Sequence, residues 1–259
     1  MRQKEAVLAT AAALLFARLA SAQQAPLPCH PDDIGITVCP EGKIEKRIIV
    51  DTKSPKNSYG IAWKTDEGRP GKDYELFEGP PKTRYAGGET DTFLVRLSDG
   101  KTLGKLKAQH QGDKARYNQL SQHVAWSPDE SWLVGINDGK WQTYNTDAYH
   151  IGADAVSEAL NLLPLCKDAE RRHFRDAGKK INVERYDQAA SIKSVGNDGT
   201  VKALCHMEIR RSGKPYLFAV EFKLAASGKR VSARIGSIKP CDPDAEANTG
   251  PCGWVTYDD

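Results

Sequence analysis

The sequence predicts a mainly β protein built from antiparallel, blade-like sheets, with a short helical insertion near residues 153–177. Three observations carry this expectation. The stretch from Val124 to Tyr149 holds three of the five tryptophans and reads as strand, turn, strand, hairpin, strand. From Gln188 to Lys239 apolar residues alternate with polar ones in three successive runs, the period-two signature of half-buried strands. The 3.6-residue period is confined to the insertion. At 259 residues and 39% hydrophobic content, the chain is long enough for one large β-rich core.

Met1 to Ala22 has the pattern of a removable export signal. Arg2 and Lys4 form a positive start, Ala6 to Ala17 an apolar run, and Ala20-Ser21-Ala22 a small-residue cleavage site. An apolar run of twelve residues is short of the roughly 20 that span a bilayer, so no stable membrane anchor is expected after cleavage. Losing Arg2, Lys4 and Arg18 together with Glu5 takes the formal net charge from +3 to +1. That balance, with both signs interspersed, predicts neither nucleic acid nor an anionic membrane as a partner. Arg171-Arg172-His173-Phe174-Arg175 follows Asp168 and Glu170 and reads as the solvated face of a helix.

Six cysteines behind an export signal predict disulfides and a periplasmic or secreted location. Short loops crowded with turn residues favour Cys29 with Cys39 and Cys241 with Cys252. Cys166 and Cys205 remain, either paired with each other or standing as two buried thiols. The expected organisation is a disulfide-held lead-in over residues 23–45, a single β-rich domain over 46–240 and a disulfide-closed tail over 241–259.

Regular structure is expected from about Lys46, with a strand over Arg47 to Asp51. Phe93, Val95 and Leu97 share one face of a strand that turns at Ser98-Asp99-Gly100 into a second, Thr102 to Lys107. The Gly- and Pro-rich segment from Thr65 to Glu89 is a long loop, and Gln109 to Gln119 a polar connector. Val124 and Trp126 lead into Ser127-Pro128-Asp129-Glu130, where proline presets φ for the turn. Trp132, Val134 and Ile136 then share a face, and Asn137-Asp138-Gly139 supplies positive-φ residues for a tight hairpin into the strand from Trp141 to Tyr149. Asp154 caps an expected helix striped by Val156, Ala159, Leu160 and Leu163. Pro164 opens a second helix that ends at Gly178, with an Asp168–Arg172 pair four residues apart. The final meander turns at Asn197-Asp198-Gly199, Ser212-Gly213 and Ser227-Gly228, with one core face and one wet face.

The turn grammar repeats. SPKNSY at Ser54 and SPDESW at Ser127 lie 73 residues apart, and a weaker echo falls at Ser194. Trp126-Ser127-Pro128-Asp129, followed after Glu130 and Ser131 by an aromatic and an apolar residue, resembles the blade motif of periplasmic Tol-type and WD-repeat β-propellers; Glu130 stands where that motif usually has glycine. The resemblance implies four-stranded blade-like units, arranged as a divergent or incomplete propeller or as a twisted sandwich.

No nucleophile elbow, zinc helix, dinucleotide or phosphate loop, or C-x-x-C pair occurs, so no catalytic residue, metal ligand or cofactor is assigned. Asp242, Asp244, Glu246 and Asn248 lack the spacing of a calcium loop and read as an acidic turn. The strand after the hairpin is different. Trp141, Thr143, Asn145, Asp147 and Tyr149 alternate with Gln142, Tyr144, Thr146 and His150, joining flat apolar area to hydrogen-bonding groups. Trp141, Tyr144 and Tyr149 are therefore the candidate ligand-binding residues, at least two of them expected to be more than half exposed beside the mouth of a groove. The expected function is a non-catalytic, exported binding or envelope-interaction protein whose partner is a protein or a polar ligand. The alternative is an exported hydrolase with a site assembled from scattered residues.

Overall fold

The structure, a computed structural model, describes residues 28–32, 35–41, 44–49, 51–64, 73–74, 84–85, 89–111, 120–139, 142–180, 187–208, 216–242 and 252. Three antiparallel sheets dominate, with one helix and no closed barrel among the described residues. The first sheet comprises, in spatial order, β1 (His30–Pro31), β2 (Thr37–Glu41), β3 (Ile44–Ile48), β4 (Tyr59–Lys64), β7 (Glu89–Arg96) and β8 (Thr102–Gln111). Between β4 and β7 in sequence, β5 (Asp73–Tyr74) pairs with β6 (Arg84–Tyr85). The second sheet has the order β12 (Leu160–Asn161), β11 (Gln142–His150), β10 (Trp132–Gly139), β9 (Leu120–Trp126). The third is the plain meander β13 (Asp187–Val195), β14 (Thr200–Glu208), β15 (Tyr216–Ser227), β16 (Arg230–Cys241).

The second sheet is the middle layer. One face, with Trp132, Val134, Ile136 and Ala148, packs on Ile192, Val201, Ala203 and Phe222 of the third sheet. The other, with Leu133 and Tyr149, packs on Ile61, Leu94, Leu103 and Leu106 of the first. Two-residue alternation along β10 divides its apolar residues between these two cores.

The repeated turns join the layers. Ser54 and Ser127 each close the same loop: the serine N–H donates to the carbonyl of Tyr59 or Trp132, and the hydroxyl accepts the N–H of that same residue. Asn57, Glu130 and Gly199 occupy matching positions with φ of 57°, 67° and 73°. Glycine is needed at the third, because a Cβ there would stand 2.8 Å from the Leu224 carbonyl oxygen. The turns also meet. Lys56 N–H donates to the Glu130 carboxylate at 2.6 Å, and Asp129 N–H donates to Asn197 Oδ1 at 3.0 Å.

Several expectations are corrected. The first sheet starts well before Lys46, at β1 and β2, and β3 runs over Ile44–Ile48 rather than from Arg47 to Asp51. Asn137-Asp138-Gly139 is not the hairpin turn: β10 continues through Gly139, which pairs with Gln142. Residues 153–159 are not helical. Val156 is drawn into a bridge with Ile151, its N–H bonds to the Leu103 carbonyl, and its side chain fills the space left by Gly104, so tertiary pairing overrides the apolar stripe. The helix, α1, spans Leu163–Asp176 with proline in its first turn. Gly178 follows it at φ 69°, and Asp168 pairs with Arg171 instead of Arg172. The wet face expected of the meander is not wet at its centre, where Leu204, Leu217 and Ala219 are buried. The export signal, Ser212-Gly213, and the acidic turn beyond Asp242 lie outside the described residues.

All six cysteines are paired, Cys29 with Cys39, Cys166 with Cys205 and Cys241 with Cys252. Three disulfides point to an oxidising, extracellular environment. No described helix is long and apolar enough to cross a membrane.

Two stability predictions follow from this packing. Trp132 is buried where the second sheet meets the Gly199 turn, with its ring edge-on to His150. Trp132→Ala is expected to cost about 3–5 kcal/mol in a denaturant melt, and a loss under about 1 kcal/mol would contradict this placement. Glu170 of α1 is fully buried, and neither carboxylate oxygen has a hydrogen-bond partner among the described residues. Burial pushes its pKa from 4.5 up to about 7, while the Gln188 amide, facing it without closing a hydrogen bond, and the Lys167 charge act the other way. The folded state therefore favours the protonated form. The resulting penalty is absent below pH 4.5, grows between 4.5 and about 7, and is constant above. Glu170→Gln should stabilise the protein by roughly 3 kcal/mol at pH 8 and leave it nearly unchanged at pH 4, read from urea melts at both pH values.

Candidate functional site

The site is built on the face of the second sheet that looks toward the first. Residues directly opposite each other on antiparallel strands share a face, so register alone lays out its rows. Trp126, Leu133 and Tyr149 form an apolar row at the end nearer the Ser127 turn. The next row is Val124, Gly135 and Asp147, and the one beyond it Gln122, Asn137 and Asn145. Polarity thus rises along the face, away from the turns.

A break in pairing shapes this end. Asn137 faces Asn145, but Asp138 faces Thr143, which leaves Tyr144 as the extra residue of a β-bulge. The bulge shifts Thr143 off the face that carries Asn145 and Asp147, so the five-residue stripe expected from strict alternation is interrupted. Tyr144 is 46% exposed.

At the centre of the polar rows the sheet leaves room. Gly135 is buried, yet a Cβ placed on it would find no atom of the described residues within 4 Å. Asp147 and Asn137 are 2% and 7% exposed, and their Oδ1 atoms have no hydrogen-bond partner among the described residues; nor have Asn145 Oδ1 and Gln122 Oε1. Leaving a buried polar atom unpaired costs about 1–3 kcal/mol, so four oxygens around one gap are a concentrated expense. Asn145 Nδ2 donates to Asp147 Oδ2, which fixes the Asn145 amide with its oxygen turned away from the carboxylate.

The first sheet supplies the opposite wall. Between Asp91 and Phe93 of β7, β8 makes a wide irregularity: Asp91 pairs with Gln109 and Phe93 with Lys105. Lys107 lies in that irregularity, and its N–H donates to the Tyr149 hydroxyl at 2.9 Å. An open cavity of about 360 Å³ lies at this irregularity, lined among the described residues by Asp91, Lys105, Leu106 and Lys107 and by none of the polar rows of the second sheet. Burial raises the Asp147 pKa, against the pull of the Lys107 charge and the Asn145 amide. Burial and the neighbouring Asp147 charge raise that of Tyr149, so its hydroxyl stays protonated.

The three residues singled out from the sequence have different fates. Tyr149 is 2% exposed and belongs to the core; the expected exposure is corrected, because its ring completes the apolar row while its hydroxyl reaches Lys107. Tyr144 is accessible at the bulge, and Trp141 lies outside the described residues. The strand that carries them also carries Asn145 and Asp147. Gly135 and Asn137 come from the adjacent strand β10 and Gln122 from β9 beyond it, and no sequence signal marks them beyond polar residues interrupting otherwise apolar runs.

No known protein family matches the chain, and none of the curated proteins is significantly similar to it.

Asp147 opposes folding at neutral pH, since its folded-state pKa is raised and the fold favours its uncharged form. Asp147→Asn is therefore expected to raise Tm at pH 7. The gain should shrink as pH falls through the raised pKa and vanish once the carboxyl is protonated in both folded and unfolded states. A lower Tm for the variant at pH 7, measured by calorimetry, would show that the charge is instead satisfied in the fold.

Proposed function

We propose that this is an exported, non-catalytic binding protein, periplasmic or secreted, that holds a small polar ligand between its first and second sheets. The scaffold is read as three divergent propeller-type blades, with the ligand seated beside Gly135. One observation carries the reading: four buried side-chain oxygens without partners among the described residues fall in the two rows that include Gly135, where the sheet leaves open space. Valine or leucine at these positions would fill the gap and remove the desolvation cost. Retaining polar groups that oppose folding is the pattern of a site kept for function. Tyr144, exposed at the bulge next to Asn145, is the aromatic that we assign to contact with the ligand.

The test is to purify the protein under native conditions from the extracellular fraction of its own host, denature it, and identify released small molecules by mass spectrometry. Gly135→Val serves as the comparison, since the side chain enters open space in a strand that tolerates β-branched residues. A polar compound released at about one equivalent from the wild type and absent from a folded Gly135→Val protein is the expected result. Equal release from both would place binding elsewhere.

A further inference from the structure

We propose that the ligand's recognised group is a primary ammonium, so that the site is one for small amines. This inference rests on the binding reading above and names the chemistry of the same site. The groups left open in the two rows around Gly135 are Gln122 Oε1, Asn137 Oδ1, Asn145 Oδ1 and Asp147 Oδ1. All four are acceptors. A ligand that satisfies them must bring hydrogen-bond donors, and an anion would bring more acceptors into an acceptor-lined space. The remaining unpartnered buried atom on this face among the described residues, Trp126 Nε1, is a donor, but it lies one row further along, beside the stacked ring of Tyr59.

Charge narrows the class further. Asp147 contributes the single carboxylate of these rows, and the other three acceptors are neutral amides. A singly charged ammonium with three N–H donors matches one negative charge and leaves each proton an oxygen to meet. A divalent metal ion would be held by one carboxylate and three neutral oxygens while facing the positive charge of Lys107, which lies close enough to act on Asp147. Calcium takes six to eight oxygens, and its affinity follows the number of charged ligands. A polyol would satisfy the acceptors but leave the buried carboxylate without a counter-charge. The ammonium is the group that meets both demands. Lys107 then has a defined role: its charge weakens attraction for any cation, which confines tight binding to ligands that fill the donor pattern.

Isothermal titration calorimetry with four matched probes tests this: ethanolamine, ethylene glycol, glycolate and choline, with calcium chloride as a fifth titrant. Ethanolamine should bind, and choline, which keeps the charge but has no N–H, should bind at least about tenfold more weakly. Ethylene glycol and glycolate should give no saturable heat at the same concentrations. Asp147→Asn should weaken ethanolamine by about tenfold or more while remaining folded, and Gly135→Val should abolish it. Lys107→Met should tighten it, an effect opposite to the one expected for an anionic ligand. If ethylene glycol, glycolate or calcium binds in preference and Gly135→Val blocks it, the binding reading stands and the amine assignment falls. If choline matches ethanolamine, recognition is of charge alone and the ammonium pattern is wrong. If no probe binds up to about 10 mM, and Gly135→Val proves indistinguishable from wild type in the native extraction, both readings fall.

Discussion

The arrangement of the layers depends on the buried carboxylate of Glu130. Its residue sits at φ 67°, a left-handed conformation that costs a non-glycine residue about 1–2 kcal/mol. The side chain is 5% exposed and reaches out of its own turn to accept the Lys56 N–H of the first sheet's turn. Burial works against its charge, but the Ser58 and Ser54 hydroxyls and the Lys56 amide together hold its pKa below the usual glutamate range. A glycine here would relieve the backbone and lose the link. The neighbouring residue completes the chain, since Asp129 N–H bonds to Asn197 of the third turn. Three hairpin turns, one from each sheet, are thus tied side by side.

With one end of the stack fixed in this way, the opposite end of the middle sheet is free to be something other than core. The apolar row of Trp126, Leu133 and Tyr149 belongs to the fixed end, and the polar rows follow it. The Tyr144 bulge breaks regular pairing at this second end, and β7 with β8 is irregular between Asp91 and Phe93 and again between Leu94 and Val95. Lys107 links the two walls through the Tyr149 hydroxyl. A rigid frame at one end and irregular strands around an unfilled space at the other is an arrangement suited to receiving a ligand without rearranging the core.

The helix is held by covalent as well as apolar contacts. Cys166 of α1 is bonded to Cys205 at the centre of β14, and Phe174 meets Phe218 and Tyr216 edge-on. This anchoring lets α1 keep Glu170 inside despite its unpaired oxygens, because the cost of burying the carboxyl is set against a disulfide and a well-packed aromatic cluster. The tolerance is linked to compartment: in a reducing environment the covalent part of that balance would be lost.

Much of the scaffold was legible in the sequence. Period-two alternation located β10, β14 and β15, and loop spacing located the short disulfides, because both are local properties of the chain. The serine-proline turns were visible for the same reason, since a hydroxyl that bonds an amide five residues on needs only its own loop. Tyr144, Asn145, Asp147 and Tyr149 were legible as a mixed strand. Their division was not: whether Tyr149 is a binding residue or core depends on Leu106 and Lys107 of another sheet. Val156 carried a helical stripe and became a bridge because Gly104, distant in sequence, left it a space. The gap at Gly135 and the row of Gln122, Asn137 and Asn145 exist only once three strands are in register, and a one-residue slip would have sent every one of these side chains to the other face. The sequence by itself determined strands, turns and the short disulfide loops, which are set by neighbours along the chain; tertiary structure decided which polar residues converge, because convergence is set by pairing between strands.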